Sequence, residues 1–273
     1  MSLILYHYTE YVAFDGILNK GILRLNNILN MNDASEMHFF INAILESVVK
    51  ELRNNNKIAA ALMTEKIIKE EMEQEFYYSA YAACFSRYKD DASQWERYGR
   101  SGSGVCIGFD EENLKKLMGR SLSLQQVFYE ADVANHEVVK ELYRVASMDE
   151  YDEAKVREIM DLAWVHSAAF KHPSFASENE VRMVVSPFIA DEFAVSPQYN
   201  IAHNRIKKYY PLDLKESCKR NGIRISDLVK EIIIGPTSTQ SKAILEDYLE
   251  DCGLGALSAR IEMSKCPLRN PGL

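Results

Sequence analysis

The stretch Leu3-Ile-Leu-Tyr-His-Tyr8 places apolar or aromatic side chains on both sides of an extended chain, because successive strand residues point to opposite faces. Such a strand is stable only when covered above and below, so it belongs in the middle of a sheet with layers on both sides. The segments after it decide what those layers are. Val12, Ala13, Ile17 and Leu18 recur at helical spacing after Thr9, a natural N-cap, and Gly21 ends that helix. Ile22–Leu25 reads as a short strand. Two amphipathic stretches, about 34–53 and 57–75, follow and are separated by Asn54-Asn-Asn56. They predict an inserted helical hairpin over about 33–76, with an exposed face rich in i,i+4 charge pairs.

Further strands are expected at Tyr77–Ser86, Val105–Phe109, within Leu122–Val133, at Glu178–Val185, Ile206–Leu214, Glu231–Ile234 and Ala256–Ser264. Helices are expected after Asp90-Asp91, over Asp110–Met118, about 135–146, about 150–171, and Gln240–Asp251. Strands separated by helices of uneven length describe a mixed α+β domain with helical insertions, not a regular βαβ alternation. The 273 residues read as one such domain.

Composition narrows the function classes. Asp and Glu outnumber Lys and Arg 40 to 32, for a net charge of -8, which disfavours a general nucleic-acid coat. Five scattered cysteines show no metal-ligand or disulfide-framework spacing, so reduced thiols and a cytoplasmic location are expected and no metal site is. Met1-Ser-Leu-Ile-Leu-Tyr-His does not read as a signal peptide, and no apolar run approaches the roughly eighteen residues of a membrane span. No GxGxxG follows the first strand and no P-loop motif occurs.

The most informative stretch is Phe175-Ala-Ser-Glu178-Asn-Glu180-Val-Arg182-Met-Val-Val-Ser-Pro187. Strand alternation predicts Glu178, Glu180 and Arg182 on one face and Val181, Met183 and Val185 on the other. The plain reading is a charged strand face with a Glu–Arg cross pair. The functional reading is a carboxylate set to stabilise a developing cation in glycosyl-transfer chemistry, with Arg182 facing a carboxylate or an anionic ligand. His7 is either a core imidazole bonded to backbone or a rigid donor to a ligand. Ser86 ends a strand and is placed to face a cleft. Tyr88, Trp95 and Tyr98 are either a stacking wall for a flat heterocycle or core-facing aromatics. Asn32, Asp33 and Glu36 read as a helix cap with acidic first-turn residues. Lys207-Lys208 with Lys171 and His172 is either a phosphate patch or an ordinary strand edge.

Several of these motifs, taken in order, resemble a known family: Leu5-Tyr-His-Tyr-Thr9, Cys84-Phe-Ser86, Gln94-Trp-Glu-Arg-Tyr-Gly99, Gly104-Val-Cys-Ile-Gly-Phe109, Glu180-Val-Arg182 and Ile232-Ile-Ile-Gly-Pro236. Together with Asn32-Asp33-Ala-Ser-Glu36 they look like the bacterial proteins of unknown function catalogued as DUF2971. More distantly, Glu178-Asn-Glu180-Val is similar to the E-x-E strand start of mono-ADP-ribosyltransferases. That resemblance implies an ADP-ribosyltransferase-like fold with mixed or antiparallel central sheets, and NAD as a substrate. It casts Glu180 as the catalytic glutamate, Glu178 as its upstream partner and His7 as the first-strand histidine on the ribose. Thr9, Ser86, Tyr88, Tyr98 and Arg182 then complete the NAD site, the two tyrosines stacking on nicotinamide. Cys84-Phe-Ser86 departs from the Ser-Thr-Ser expected of that group. The acceptor, protein or nucleic acid, is left open. The alternatives are a metal-dependent nuclease or hydrolase using Asp33, Glu178 and Glu180, and a non-catalytic nucleotide-binding or interaction domain on the same fold. The transferase reading requires that His7, Ser86 or Tyr98, and Glu180 converge on one cleft.

Overall fold

Strand β1 (Ile4–Thr9) lies inside the sheet, where its two apolar faces require it to be. The computed structural model of the chain describes residues 3–31, 36–74, 80–118, 122–129, 133–185, 196–202 and 204–269. β1 pairs along its whole length with β4 (Val105–Asp110) and meets β3 (Tyr81–Ser86) at the Tyr6–Ser86 pair. Beyond β4 come β9 (Val229–Ile234) and the short β10 (Ile261–Met263), which runs parallel to β9. The other strand pairs are antiparallel.

β3 is the junction of the sheet. All six of its residues pair with β6 (Glu180–Val185), which in turn pairs with β5 (Leu122–Gln126). At its opposite edge, Tyr81 and Ala82 pair with β2 (Ile22–Asn27), which leads to β8 (Arg205–Asp213) and the edge strand β7 (Gln198–Ala202). The expected mixed α+β architecture with an open sheet is therefore present.

One face of the sheet carries Leu5, Phe85, Ile107, Phe109, Val181 and Met183. It is covered by α1 (Tyr11–Leu18), α5 (Glu111–Lys116), α8 (Leu214–Arg220), α9 (Ile225–Leu228) and α10 (Lys242–Asp251). The opposite face is split between two covers. Helices α2 (Glu36–Asn54), α3 (Ile58–Met72), α6 (Glu137–Ala146) and α7 (Glu153–Ser167) bury Ala82 and Val184. A smaller cluster of Tyr6, Tyr8, Cys106 and Ile233 packs under Trp95 of α4 (Ala92–Arg97). The helical hairpin is thus α2–α3, turned at Asn56 with φ 60°, and it forms one layer with α6 and α7.

Two glycines fix how the loop after α4 meets the sheet. A Cβ on Gly104 would lie 2.2 Å from the Thr9 carbonyl oxygen, and one on Gly235 would lie 2.1 Å from that of Gly102. Both positions are backbone-on-backbone contacts that no side chain fits. The bonds Gly235 N–H to Gly104 O and Thr237 N–H to Gly102 O hold Gly235 against the loop, and the Thr9–Val105 strand pair sets Gly104 beside Thr9.

Some boundaries differ from the sequence expectation. Glu178 is not on the strand: it ends a 3-10 helix (Pro173–Glu178), and Asn179, at φ 41°, turns the chain into β6. Asn tolerates that left-handed conformation because its short polar side chain bonds locally. The segment preceding β8, where no strand is expected, contains β7. The expected last strand is mostly a 3-10 helix (Gly255–Arg260), with only Ile261–Met263 extended. The start of the expected Tyr77–Ser86 strand, and Asn32 and Asp33, lie outside the described residues. No helix among the described residues is long and apolar enough to cross a membrane, and all five cysteines are free.

Candidate functional site

The two glutamates singled out by sequence meet in one buried ionic cluster. Glu180 begins β6 and points to the face shared with Ser86, because the two residues are direct cross-strand partners. Arg182 lies two residues on, fully buried, and grips Glu180 with both arms of its fork: Nε donates to Oε1 at 2.9 Å and Nη2 to Oε2 at 3.0 Å. Its Nη1 donates to the Ala168 carbonyl at 2.8 Å, so the guanidinium is tied to the end of α7 as well. Lys171 Nζ bridges the pair of glutamates, 2.7 Å from Glu178 Oε2 and 3.3 Å from Glu180 Oε2.

Glu178 reaches the cluster from the 3-10 helix. Its Oε1 accepts from Arg97 Nη1 and from the Tyr98 hydroxyl, each at 2.8 Å. Its carbonyl accepts from Ser86 Oγ at 2.8 Å and Gln94 Nε2 at 3.3 Å. The Glu180 backbone is held equally firmly: its N–H donates to the Tyr129 hydroxyl and its carbonyl accepts from Gln126 Nε2, both at 2.9 Å. Phe175 closes the outside, with Lys171 Nζ 4.8 Å and Arg97 Cζ 5.9 Å from its ring centre.

The electrostatics follow from this count of three cations against two carboxylates. Burial alone would push the Glu180 carboxyl up, but Arg182 and Lys171 outweigh it and hold it at about 2. Burial pushes the Tyr98 hydroxyl up, so it acts as a donor to Glu178. Only Arg97 reaches the surface, with 39% of its side chain exposed against 2% of Glu178 and 7% of Glu180.

α4 is what carries Gln94, Arg97 and Tyr98 to this point. Asp91 caps it by accepting from the N–H groups of Ser93 and Gln94. Trp95 is fully buried, packs edge-on against Tyr8 at 4.9 Å and donates to Asp90 at 2.7 Å. Its plain reading as a core residue is the correct one.

The expected convergence is only partial. Ser86, Tyr98, Glu178, Glu180 and Arg182 come together. His7 does not: it aligns in register with Phe85, its ring centre 5.7 Å from that of Phe85, on the sheet face opposite Glu180. His7 Nδ1 bonds the Cys84 carbonyl at 2.8 Å, and burial lowers its pKa. Thr9 alternates onto the same side as His7. Tyr88 is 47% exposed, and no ring contact joins it to Tyr98 among the described residues. Lys171 is spent inside the cluster, whereas Lys208 lies over the rings of Tyr81 and Tyr210 on the other face, so the expected phosphate patch is not one surface. Glu36 begins α2, while Asn32 and Asp33 fall outside the described residues. Among those residues no group of three or more His, Cys, Asp or Glu is placed to hold a metal ion.

Sequence reasoning missed Arg97, Gln94 and Tyr129 as partners of the glutamates. For Gln94 and Arg97 the signal was present: they flank Trp95 in the motif that also holds Tyr98.

A family model described as protein of unknown function (DUF2971) matches residues 94–183, about a third of the chain. This supports the resemblance read from the motifs. The matched span begins at Gln94 and ends at Met183, so it encloses both halves of the ionic cluster. No curated protein and no solved structure matches the chain.

Proposed function

We propose that the chain is a binding or interaction domain, and that the Glu178–Glu180 pair is a structural ionic lock instead of a catalytic centre. The observation that carries this reading is the state of Glu180. Cleavage of the nicotinamide–ribose bond of NAD builds positive charge on the sugar, and a catalytic carboxylate must face that charge when it appears. Glu180 instead gives both oxygens to Arg182 and one of them also to Lys171, at 2.9–3.3 Å, with 7% of its side chain exposed. A carboxylate already neutralised by two buried cations has little field left for a third. The histidine that should orient the ribose sits across the sheet. The ADP-ribosyltransferase-like reading then rests on the Glu178-Asn-Glu180-Val motif and the adjoining Ser86 and Tyr98, whose side chains the lock already engages. The same lock holds Glu178 and Glu180, two of the three carboxylates of the metal-dependent nuclease reading.

The test is turnover. The full chain is incubated with NAD, and separately with Mg²⁺ or Mn²⁺ and single-stranded nucleic acid. The expected result is no nicotinamide release and no cleavage above that of a folded Glu180→Gln variant. Nicotinamide release by the wild type that vanishes in that variant, with circular dichroism unchanged, would overturn the reading.

A further inference from the structure

We propose that the edge strand β7 receives an extended acidic strand from a partner protein. The proposal rests on the reading of the chain as an interaction domain and names the surface that reading needs. β7 pairs with β8 on one side and with no strand among the described residues on the other. An open edge is a template for a further strand, and proteins usually blunt it with charges or proline on the edge itself. Here the edge strand Gln198-Tyr-Asn-Ile-Ala202 carries neither.

The two faces of the β7–β8 hairpin are different. Tyr199, Ile201 and Ile206 lie on one face, exposed by 64%, 79% and 74%. Three large apolar groups so exposed and so close together form a patch, not scattered surface residues. Arg205 and Lys207 lie on the other face, in line with Arg24 of β2, which stacks over Tyr209 at 4.9 Å. None of these three cations is paired with a carboxylate among the described residues, in a chain whose net charge is -8. Lys208, opposite Tyr199 on the apolar face, is turned onto the rings of Tyr81 and Tyr210, so the exposed groups of that face are apolar and the other face is cationic. Such a hairpin fits a strand with the same period, apolar residues alternating with Asp or Glu.

Two other occupants fit less well. A second copy placed edge to edge would set β7 against β7, leave the two β8 strands about 14 Å apart and offer Arg205 and Lys207 no carboxylate, since the facing strand Gln198–Ala202 carries none. A lipid surface would take the apolar face but leave the outer backbone groups of β7 without partners in hydrocarbon, at a cost of several kcal/mol per group.

The test uses the full chain and a labelled peptide of Glu-Val repeats, about ten residues long, with a Lys-Val peptide, anionic phosphatidylglycerol vesicles and sedimentation of the chain alone as comparisons. Saturable binding of the Glu-Val peptide is expected in the ~10–100 μM range, and none of the Lys-Val peptide. The double substitution Arg205→Glu, Lys207→Glu should weaken it roughly tenfold or more, as should Tyr199→Ser with Ile201→Ser. Bound peptide should slow amide hydrogen exchange in β7. The substituted side chains are exposed or on the hairpin surface, and circular dichroism checks that each variant folds. Failure of the Glu-Val peptide to saturate, or binding indifferent to both double variants, overturns the proposal. So does vesicle binding or self-association that these variants remove while the peptide does not bind. Neither result touches nicotinamide release, so loss of this surface and loss of the interaction-domain reading are told apart.

Discussion

Glu180→Gln deletes the charge that Arg182 and Lys171 share, and its cost can be worked out in two ways. Glu180 accepts at 2.9, 3.0 and 3.3 Å from groups that are both buried and cationic. Removing one partner of a buried ion pair strands the other charge and costs about 3–5 kcal/mol. Independently, the carboxyl is held at about 2 against an ordinary 4.5, which corresponds to about 3 kcal/mol of folding free energy. The two figures agree, and for a chain of this size they imply a fall in Tm on the order of 10 °C. The sign with pH is fixed. A carboxyl whose folded pKa is depressed contributes stability that is fully present above pH 4.5 and is lost as pH falls through about 2. The difference between wild type and Glu180→Gln should therefore shrink across that window. Urea unfolding followed by circular dichroism at pH 7 and at several lower values measures it. Adding Arg182→Met to Glu180→Gln should cost less than the two single changes together, because the second removes the charge the first left stranded. A Glu180→Gln variant within about 0.5 kcal/mol of wild type at pH 7, or a deficit that does not change with pH, would show that the cluster is not a lock.

Other expectations concern the backbone contacts and the helical layer. Gly104→Ala and Gly235→Ala each drive a methyl into a carbonyl oxygen and should cost about 3 kcal/mol or more, whereas Gly16→Ala in α1, with nothing within 4 Å of the new carbon, should gain about 0.5–1 kcal/mol in the same chemical denaturation series. Glu71 on α3 is buried against Trp164 of α7, whose Nε1 donates to it at 3.2 Å, and burial lifts its carboxyl to about 7. With a raised folded pKa, the chain should lose stability as pH rises from 4.5 through 7. Glu71→Gln, which keeps an acceptor for Trp164, should flatten that slope and raise Tm at pH 8, with a ceiling of about 3 kcal/mol.

The sheet was legible wherever burial was symmetric. Leu3–Tyr8, Val105–Phe109 and Glu231–Ile234 read as interior strands because residues on both faces are apolar, and all three lie next to one another. β7 was not legible, since Gln198-Tyr-Asn-Ile-Ala202 is half polar and its apolar half faces outward. The strand boundary at Glu178 failed for a local reason: Asn179 takes a left-handed turn that period-two reasoning cannot see. At the site, alternation placed Glu180 and Arg182 on one face correctly. It could not say that His7 faces the other way, because that depends on the Tyr6–Ser86 register between strands far apart in sequence. Nor could it supply Lys171 and Arg97, whose arrival depends on where α7 and α4 end.

The position of β3 has a consequence for how the chain is made. Its partners β1 and β2 are synthesised before it, but β6, which covers all six residues of its other edge, follows roughly a hundred residues later. On the ribosome the nascent chain carries β1–β4 with three edges waiting, that of β3 for β6, that of β2 for β8 and that of β4 for β9, and the β3 edge is filled first. Edges of that kind attract foreign strands until their own arrives. Ala82, Ala83 and Cys84 keep that waiting edge slim, and the Arg182–Glu180 pair travels on the strand that finally closes it. Fragments ending before residue 180 should therefore aggregate, and a nascent chain should become protease-resistant only after β6, β8 and β9 have all left the exit tunnel.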